Sequence, residues 1–132
     1  MKKQLNFASK IENISYVENL VDEVSCRFKL NNIIYGNILI SLVEAVSNAI
    51  LHGNRSDPSK FVQVECEVCG EFVCFKVKDE GNGFDFSHVP DPTSERNIDK
   101  PHGRGIFLMQ RLADEISYNE NGTEVRVKFK LN

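Results

Sequence analysis

Apolar positions along the chain follow two different periods. From Ser15 to about Phe28 they recur at three- and four-residue intervals, so Ile14, Val17, Leu20, Val21, Val24 and Phe28 share one face of a predicted helix. Ser15 with Glu18 three residues later reads as a capping box at its start. Asn31-Asn32 then breaks the pattern and is placed to cap a second helix, which Gly53-Asn54 ends, with Pro58 soon after. Leu42, Val43, Ala45, Val46, Ala49, Ile50 and Leu51 cover most of that helix, which predicts that it is largely buried. A narrow polar stripe interrupts this coat: Glu44, Asn48 and His52 at four-residue intervals, with Ser41 one turn earlier. A carboxylate in such a place needs a partner. The stripe is either a solvated edge or internally satisfied polar cluster, or the wall of a cation site.

Elsewhere the period is two. Residues 3 to 8 alternate around Leu5 and Phe7 as a short first strand. Phe61 to Val68 and Phe72 to Lys78 have strand character and are joined through Gly70 as a hairpin. Two more strands, Glu115 to Tyr118 and Thr123 to Leu131, turn at Asn121-Gly122. In the last of them Val125, Val127, Phe129 and Leu131 alternate with Arg126, Lys128 and Lys130, which predicts one buried and one wet sheet face. Between the hairpin and these strands, residues 85 to 102 hold Pro90, Pro92 and Pro101 with few apolar residues, a loop long enough to be a functional lid. A third helix is predicted from about Gly103, carrying Ile106, Phe107, Met109, Gln110, Leu112 and Ala113. The expected fold class is α+β: a two-layer sandwich with helices on one face of a mixed, mostly antiparallel sheet.

Composition narrows the function. At 132 residues the chain is long enough for one core, so residues 1–132 are expected to form a single domain. Hydrophobic residues at 41% and charged residues at 27% fit a globular protein and argue against disorder. A net charge of −3 without a basic patch gives no reason to expect direct binding of nucleic acid. Met1-Lys-Lys is not followed by an apolar run and no membrane span is evident, so a cytoplasmic location is expected. The four cysteines are then expected to be reduced. Cys66-x-x-Cys69 lacks the second pair, or the His pair, of a zinc site, and reads as structural.

Two glycine-bearing turns bracket the lid. Lys78-Asp-Glu-Gly-Asn-Gly-Phe84 leaves a strand, and His102-Gly-Arg-Gly-Ile-Phe107 enters a helix, so backbone can approach a ligand closely at both. The second offers unpaired N–H groups at a helix N-terminus, an arrangement suited to phosphate. Neither is a Walker A loop or a dinucleotide-binding fingerprint, because the required spacings are missing.

Taken in order, Glu-x-x-x-Asn-Ala on a helix, Asp-x-Gly-x-Gly-Phe after a strand, a lid, Gly-x-Gly opening a helix and Gly122-Thr123 before a last strand resemble the GHKL ATP-binding domain. This is the Bergerat fold shared by gyrase, mismatch-repair and chaperone ATPases and by histidine kinases, and the resemblance runs from about residue 10 to the C-terminus. It implies ATP and Mg2+ as cofactors. Asn48 corresponds to the family's Mg2+ ligand, an amide oxygen that suits a hard ion. Glu44 corresponds to the general base. Asp79 would accept from the adenine amino group, and Thr123 would lie near the adenine, on a water shared with Asp79. Gly81 and Gly83 would shape the adenine pocket and lid hinge, and Gly103, Arg104 and Gly105 would approach the phosphates. Arg104 departs from the apolar residue or Gly usual between those glycines; its guanidinium either reaches the γ-phosphate or faces solvent. Asn54 and Lys100 are candidates for phosphate contact or for solvated lid residues. His52 is read as closing the helix end.

A free-standing domain with a short lid and the run Gly-Arg-Gly-Ile-Phe-Leu-Met, followed by Leu-Ala-Asp-Glu, is most similar to the bacterial anti-sigma-factor serine/threonine kinases. The implied partners are a sigma factor and an antagonist of the STAS-domain type, phosphorylated on a hydroxyl, and members of that family commonly form homodimers. Two alternatives stay open: an ATP-binding module that sequesters its partner without phosphotransfer, and a detached histidine-kinase-like domain acting on a separate His-bearing protein.

Overall fold

The computed structural model describes residues 1–81, 109–119 and 121–131. Strand β1 (Lys2–Ala8) leads through a 3-10 turn (Ile11–Asn13) into helix α1 (Ile14–Phe28). Helix α2 (Asn32–Asn48) continues into a π turn (Ala49–Gly53), and β2 (Phe61–Cys69) and β3 (Phe72–Lys78) follow as a hairpin. Strands β4 (Glu115–Tyr118) and β5 (Glu124–Lys130) close the fold. The five strands form one sheet in the order β1-β2-β3-β5-β4. Every described pairing is antiparallel, where the sequence reading expected a mixed sheet.

The alternation read from β5 is the rule for the whole sheet. Val62, Val64 and Cys66 of β2, Val73, Phe75 and Val77 of β3, and Val125, Val127 and Phe129 of β5 are buried on one face. They meet Val17, Leu20, Val21 and Val24 of α1 and Ile38, Leu42, Ala45 and Val46 of α2 in a single core. Each such side chain taken fully out of water contributes about 1.5–3 kcal/mol, which is why strand register is strictly specified here. The other face carries paired charges, such as Lys76 with Glu65 at 3.0 Å. The two-layer α+β sandwich is therefore as expected.

The helix ends depart from expectation in part. Asn31 caps α2 as predicted, its side-chain oxygen accepting from the Ile34 N–H at 2.9 Å. The Ser15/Glu18 capping box does not form. The 3-10 turn runs straight into α1, so Ser15 is already inside the helix and its hydroxyl donates to the Glu12 carbonyl at 3.1 Å. The predicted third helix is described only at residues 109–112, where Met109 is buried.

Burial of α2 is less complete than its composition suggested. Ile33 is 75% exposed, and Ile40 and Leu51 are exposed as well, because only one stripe of the helix faces the core. With its π turn this helix spans 22 residues and is long and apolar enough to cross a membrane by length and composition alone. The sequence reading saw no such span. The buried stripe packed on α1 and the sheet is the arrangement of a core helix.

Candidate functional site

The polar stripe of α2 runs from buried to exposed, and at two of its members it is not an internally satisfied cluster. Ser41 is completely buried, and its hydroxyl has no hydrogen-bond partner among the described residues. The amide nitrogen of Asn48 is likewise buried and unpartnered. Buried polar groups are normally hydrogen-bonded, and leaving one unpaired costs about 1–3 kcal/mol. The orphan atom is an N–H donor, which a hydrogen-bond acceptor would satisfy, and the amide oxygen is the separate atom that could ligate a cation. Glu44 stands one turn before Asn48 and is half-buried. His52 lies exposed in the π turn that ends the helix.

Immediately after Asn48 the helix widens. The Asn54 N–H bonds the Ala49 carbonyl at 2.8 Å, five residues back, and the Ser56 N–H reaches the Ile50 carbonyl at 2.7 Å. Such π turns are rare and frequently occur at functional sites. Here the widening brings Gly53 against the end of β3. A Cβ on Gly53 would collide with the Asp79 carboxylate, and a Cβ on Gly81 would overlap the Gly53 carbonyl. Gly81 is thus required by backbone packing, a Cβ at Gly53 would push the Asp79 carboxylate aside, and Asp79 sits in the cradle they form.

Asp79 is held by backbone on two sides. Its own N–H donates to the Thr123 carbonyl at 2.9 Å, and its Oδ1 accepts from the Gly81 N–H at 2.8 Å. Burial raises its carboxyl above the usual carboxylate range, while the Gly81 N–H and the Lys60 ammonium pull the other way. Thr123 is positioned in turn by Asn119, whose amide nitrogen donates to Thr123 Oγ1 at 3.0 Å and whose oxygen accepts from the Thr123 and Glu124 N–H groups. Sequence reasoning missed Asn119; an Asn just after a strand and before Asn121-Gly122 was the available signal.

Asn54 is neither a phosphate ligand nor a solvated lid residue. It is 1% exposed, and its side chain is fully committed. The amide nitrogen donates to Ser9 Oγ at 2.8 Å and to the Phe61 carbonyl at 3.0 Å, and the oxygen accepts from the Glu80 N–H at 2.7 Å. The Glu80 carboxylate in turn accepts from the Phe61 N–H.

The structure brings Asp79, Gly81 and Thr123 together and joins them, through the π turn, to the helix that carries Glu44 and Asn48. Gly83, Lys100, Gly103, Arg104 and Gly105, with the predicted lid, lie outside the described residues. Cys66 is buried and Cys69 exposed, as expected of residues three apart on a strand, so they do not converge on a metal. Among the described residues no group of three His, Cys, Asp or Glu side chains is placed to hold a metal ion.

This fold is that of a known domain family. The sequence model of the histidine kinase-like ATPase domain matches residues 7–129, and the chain belongs to that family. The chain is also similar over its length to proteins named anti-sigma F factor. It is 28% identical to those of Clostridium botulinum (strain Alaska E43 / Type E3) and Clostridium perfringens (strain 13 / Type A), covering 99% of this chain and 95% and 97% of theirs. Against the one from Heyndrickxia coagulans it is 29% identical, over 98% of this chain and 92% of the relative. Among solved structures, part of a chain holding the RsbU and RsbW domains of a Mycobacterium tuberculosis protein shares the fold, with a TM-score of 0.70 at 17% identity. The match covers 99% of this chain and 32% of that longer one.

Proposed function

We propose that the protein is an anti-sigma-factor-type serine/threonine kinase. It binds Mg2+ and ATP and phosphorylates a STAS-type antagonist in the cytoplasm, so that a sigma factor is exchanged between partners. The observation that carries this reading is the continuity of the α2 end: Asn48 is followed directly by the π turn that packs on Asp79. In this reading the phosphate-side group Asn48 and the base-side group Asp79 sit at the two sides of one corner. End-to-end similarity to anti-sigma F factors supports the choice of partner class.

In this reading Asn48 holds the metal through its amide oxygen, a hard donor. When bound, Mg2+ neutralises charge on the triphosphate. Glu44, one turn earlier on the same helix, takes the proton from the partner's hydroxyl. Asp79 accepts from the adenine amino group, in a pocket shaped by Gly81 and Gly83 and bordered by Thr123. Gly103, Arg104 and Gly105 approach the phosphates. Positioning supplies most of the rate, since phosphoryl transfer asks little covalent chemistry of the protein.

The test is incubation of the purified protein with Mg2+ and γ-labelled ATP in extract of its own host, with Asn48→Ala as control. A small protein carrying acid-stable label, absent in the control, is the expected result. Saturable ATP binding without transfer would instead identify a sequestering module, and acid-labile label a histidine-directed enzyme.

A further inference from the structure

No step of that scheme uses the Asn54 side chain, yet at the corner it forms with Gly53 that side chain is buried and bonded on every side. Four segments meet there: the end of β1 through Ser9, the π turn through the Asn54 N–H, the start of β2 through Phe61, and the turn after β3 through Glu80. Ser9 is itself buried and fastened to Lys60, its hydroxyl donating to that carbonyl at 2.7 Å. Three of these bonds, to Ser9, Phe61 and Glu80, run through the single Asn54 side chain.

The geometry points to a positioning role: we propose that Gly53 and Asn54 set the place of the Asp79 carboxylate for nucleobase recognition. This deepens the nucleotide reading above and rests on it. Asn54 Oδ1 holds the Glu80 N–H, the peptide directly after Asp79. Gly53 supplies the opposite wall, since its missing Cβ is the space the carboxylate occupies, and its carbonyl lies against Gly81. The Asp79-Glu80-Gly81 turn is therefore clamped between an amide that pulls on Glu80 and a backbone that limits how far Asp79 can approach. A carboxylate recognising one amino group must be held within a few tenths of an ångström, and residues that never touch the ligand set that tolerance. Neither residue contacts the base, so both are positioning residues.

Removing either side of the clamp should disturb base recognition and leave phosphate recognition in place. The experiment is calorimetric titration of the full chain with ATP and, separately, with inorganic tripolyphosphate, both with Mg2+, for wild type, Asn54→Ala, Gly53→Ala and Ser9→Ala. Tripolyphosphate carries the phosphate charge without base or ribose. Asn54→Ala and Gly53→Ala are expected to weaken ATP about tenfold or more and to leave tripolyphosphate within about twofold, on the basis that misplaced or lost polar contacts cost about 1–3 kcal/mol. Ser9→Ala removes a partner of Asn54 on the side away from Glu80, so it should lower the melting temperature and keep the ATP-to-tripolyphosphate ratio of wild type. Gly53→Ala removes none of the groups that Asn54 bonds and carries the test alone should Asn54→Ala not fold. Equal weakening of both ligands, or no weakening of ATP, would overturn the positioning role. Failure of the wild-type chain to bind ATP would overturn the nucleotide reading and this inference with it.

Discussion

The N–H of Asp79 donates to the carbonyl of Thr123 at 2.9 Å, extending the β3–β5 ladder by one bond beyond the Lys78–Glu124 pair. Two residues 44 positions apart, by subtraction of their numbers, are thus fixed by sheet register and not by side-chain chemistry. The antiparallel pairing of β3 with β5 is what creates the base-side half of the candidate site. Asn119 then orients the Thr123 hydroxyl, so the pair is pre-set before any ligand arrives.

Asp79 bears a cost for this placement. Burial lifts its carboxyl above the ordinary 3.8, so the folded chain retains that proton to higher pH than the unfolded chain does. As pH rises above 3.8 the unfolded state ionises first, and the folded state loses relative stability until the folded group has ionised too. Below 3.8 the penalty is absent. Asp79→Asn removes the titration and can keep the bond from the Gly81 N–H. Its melting temperature relative to wild type is therefore expected to rise as pH is raised from about 3.8 towards neutrality, while ATP binding falls about tenfold or more. Thermal scans of both proteins across that range check the first part; a difference that is flat with pH would contradict it.

Much of this architecture was legible in the sequence. The β5 alternation was readable because one sheet face is buried and the other wet, and α1 because its face repeats at helical spacing. Asn31 was readable as a cap because capping is local. Asn54 was not, because its partners Ser9, Phe61 and Glu80 lie 45, 7 and 26 residues away and only the tertiary fold collects them. Ser15 and Glu18 matched a capping box, but the 3-10 turn ahead of them moved the helix start. The exposure of Ile33 and Ile40 was hidden for a similar reason: composition shows that a helix is apolar, and only packing decides which side is covered.

The Asn31 cap gives a prediction confined to stability. Its side-chain oxygen satisfies the Ile34 N–H, one of the four orphan donors at the start of α2. Asn31→Ala is expected to cost about 1 kcal/mol. Asn31→Asp, which keeps the acceptor and adds negative charge at the helix N-terminus, should cost little or stabilise. Urea unfolding of the two variants separates these outcomes.

The cysteines should divide sharply in reactivity. Cys66 faces the core with no exposed surface, and burial pushes its thiol up to about 12, so almost no thiolate exists at neutral pH. Cys26, Cys69 and Cys74 are exposed. Alkylation of the native protein followed by peptide mass spectrometry should label these three quickly and Cys66 only after denaturation. Rapid native labelling of Cys66 would mean that the sheet opens far more readily than its packing implies.

Glu44 and Asn48 share one helix face and should fail in different ways when replaced. Asn48 presents a neutral amide whose nitrogen has no acceptor among the described residues, and under the proposed mechanism its contribution is to binding. Asn48→Ala is expected to abolish Mg2+-dependent ATP binding without lowering stability, because it removes a buried polar atom that the apo fold leaves unpaired. Glu44, as base, acts on the acceptor's proton and not on the nucleotide. Glu44→Ala should therefore bind ATP as wild type does and lower phosphotransfer by a factor of about 100 or more. Measuring both quantities for both variants is decisive, because a purely structural stripe would move binding and transfer together through loss of fold. Transfer at the wild-type rate in Glu44→Ala would remove it from the chemistry and leave Asn48 alone as the functional residue of α2.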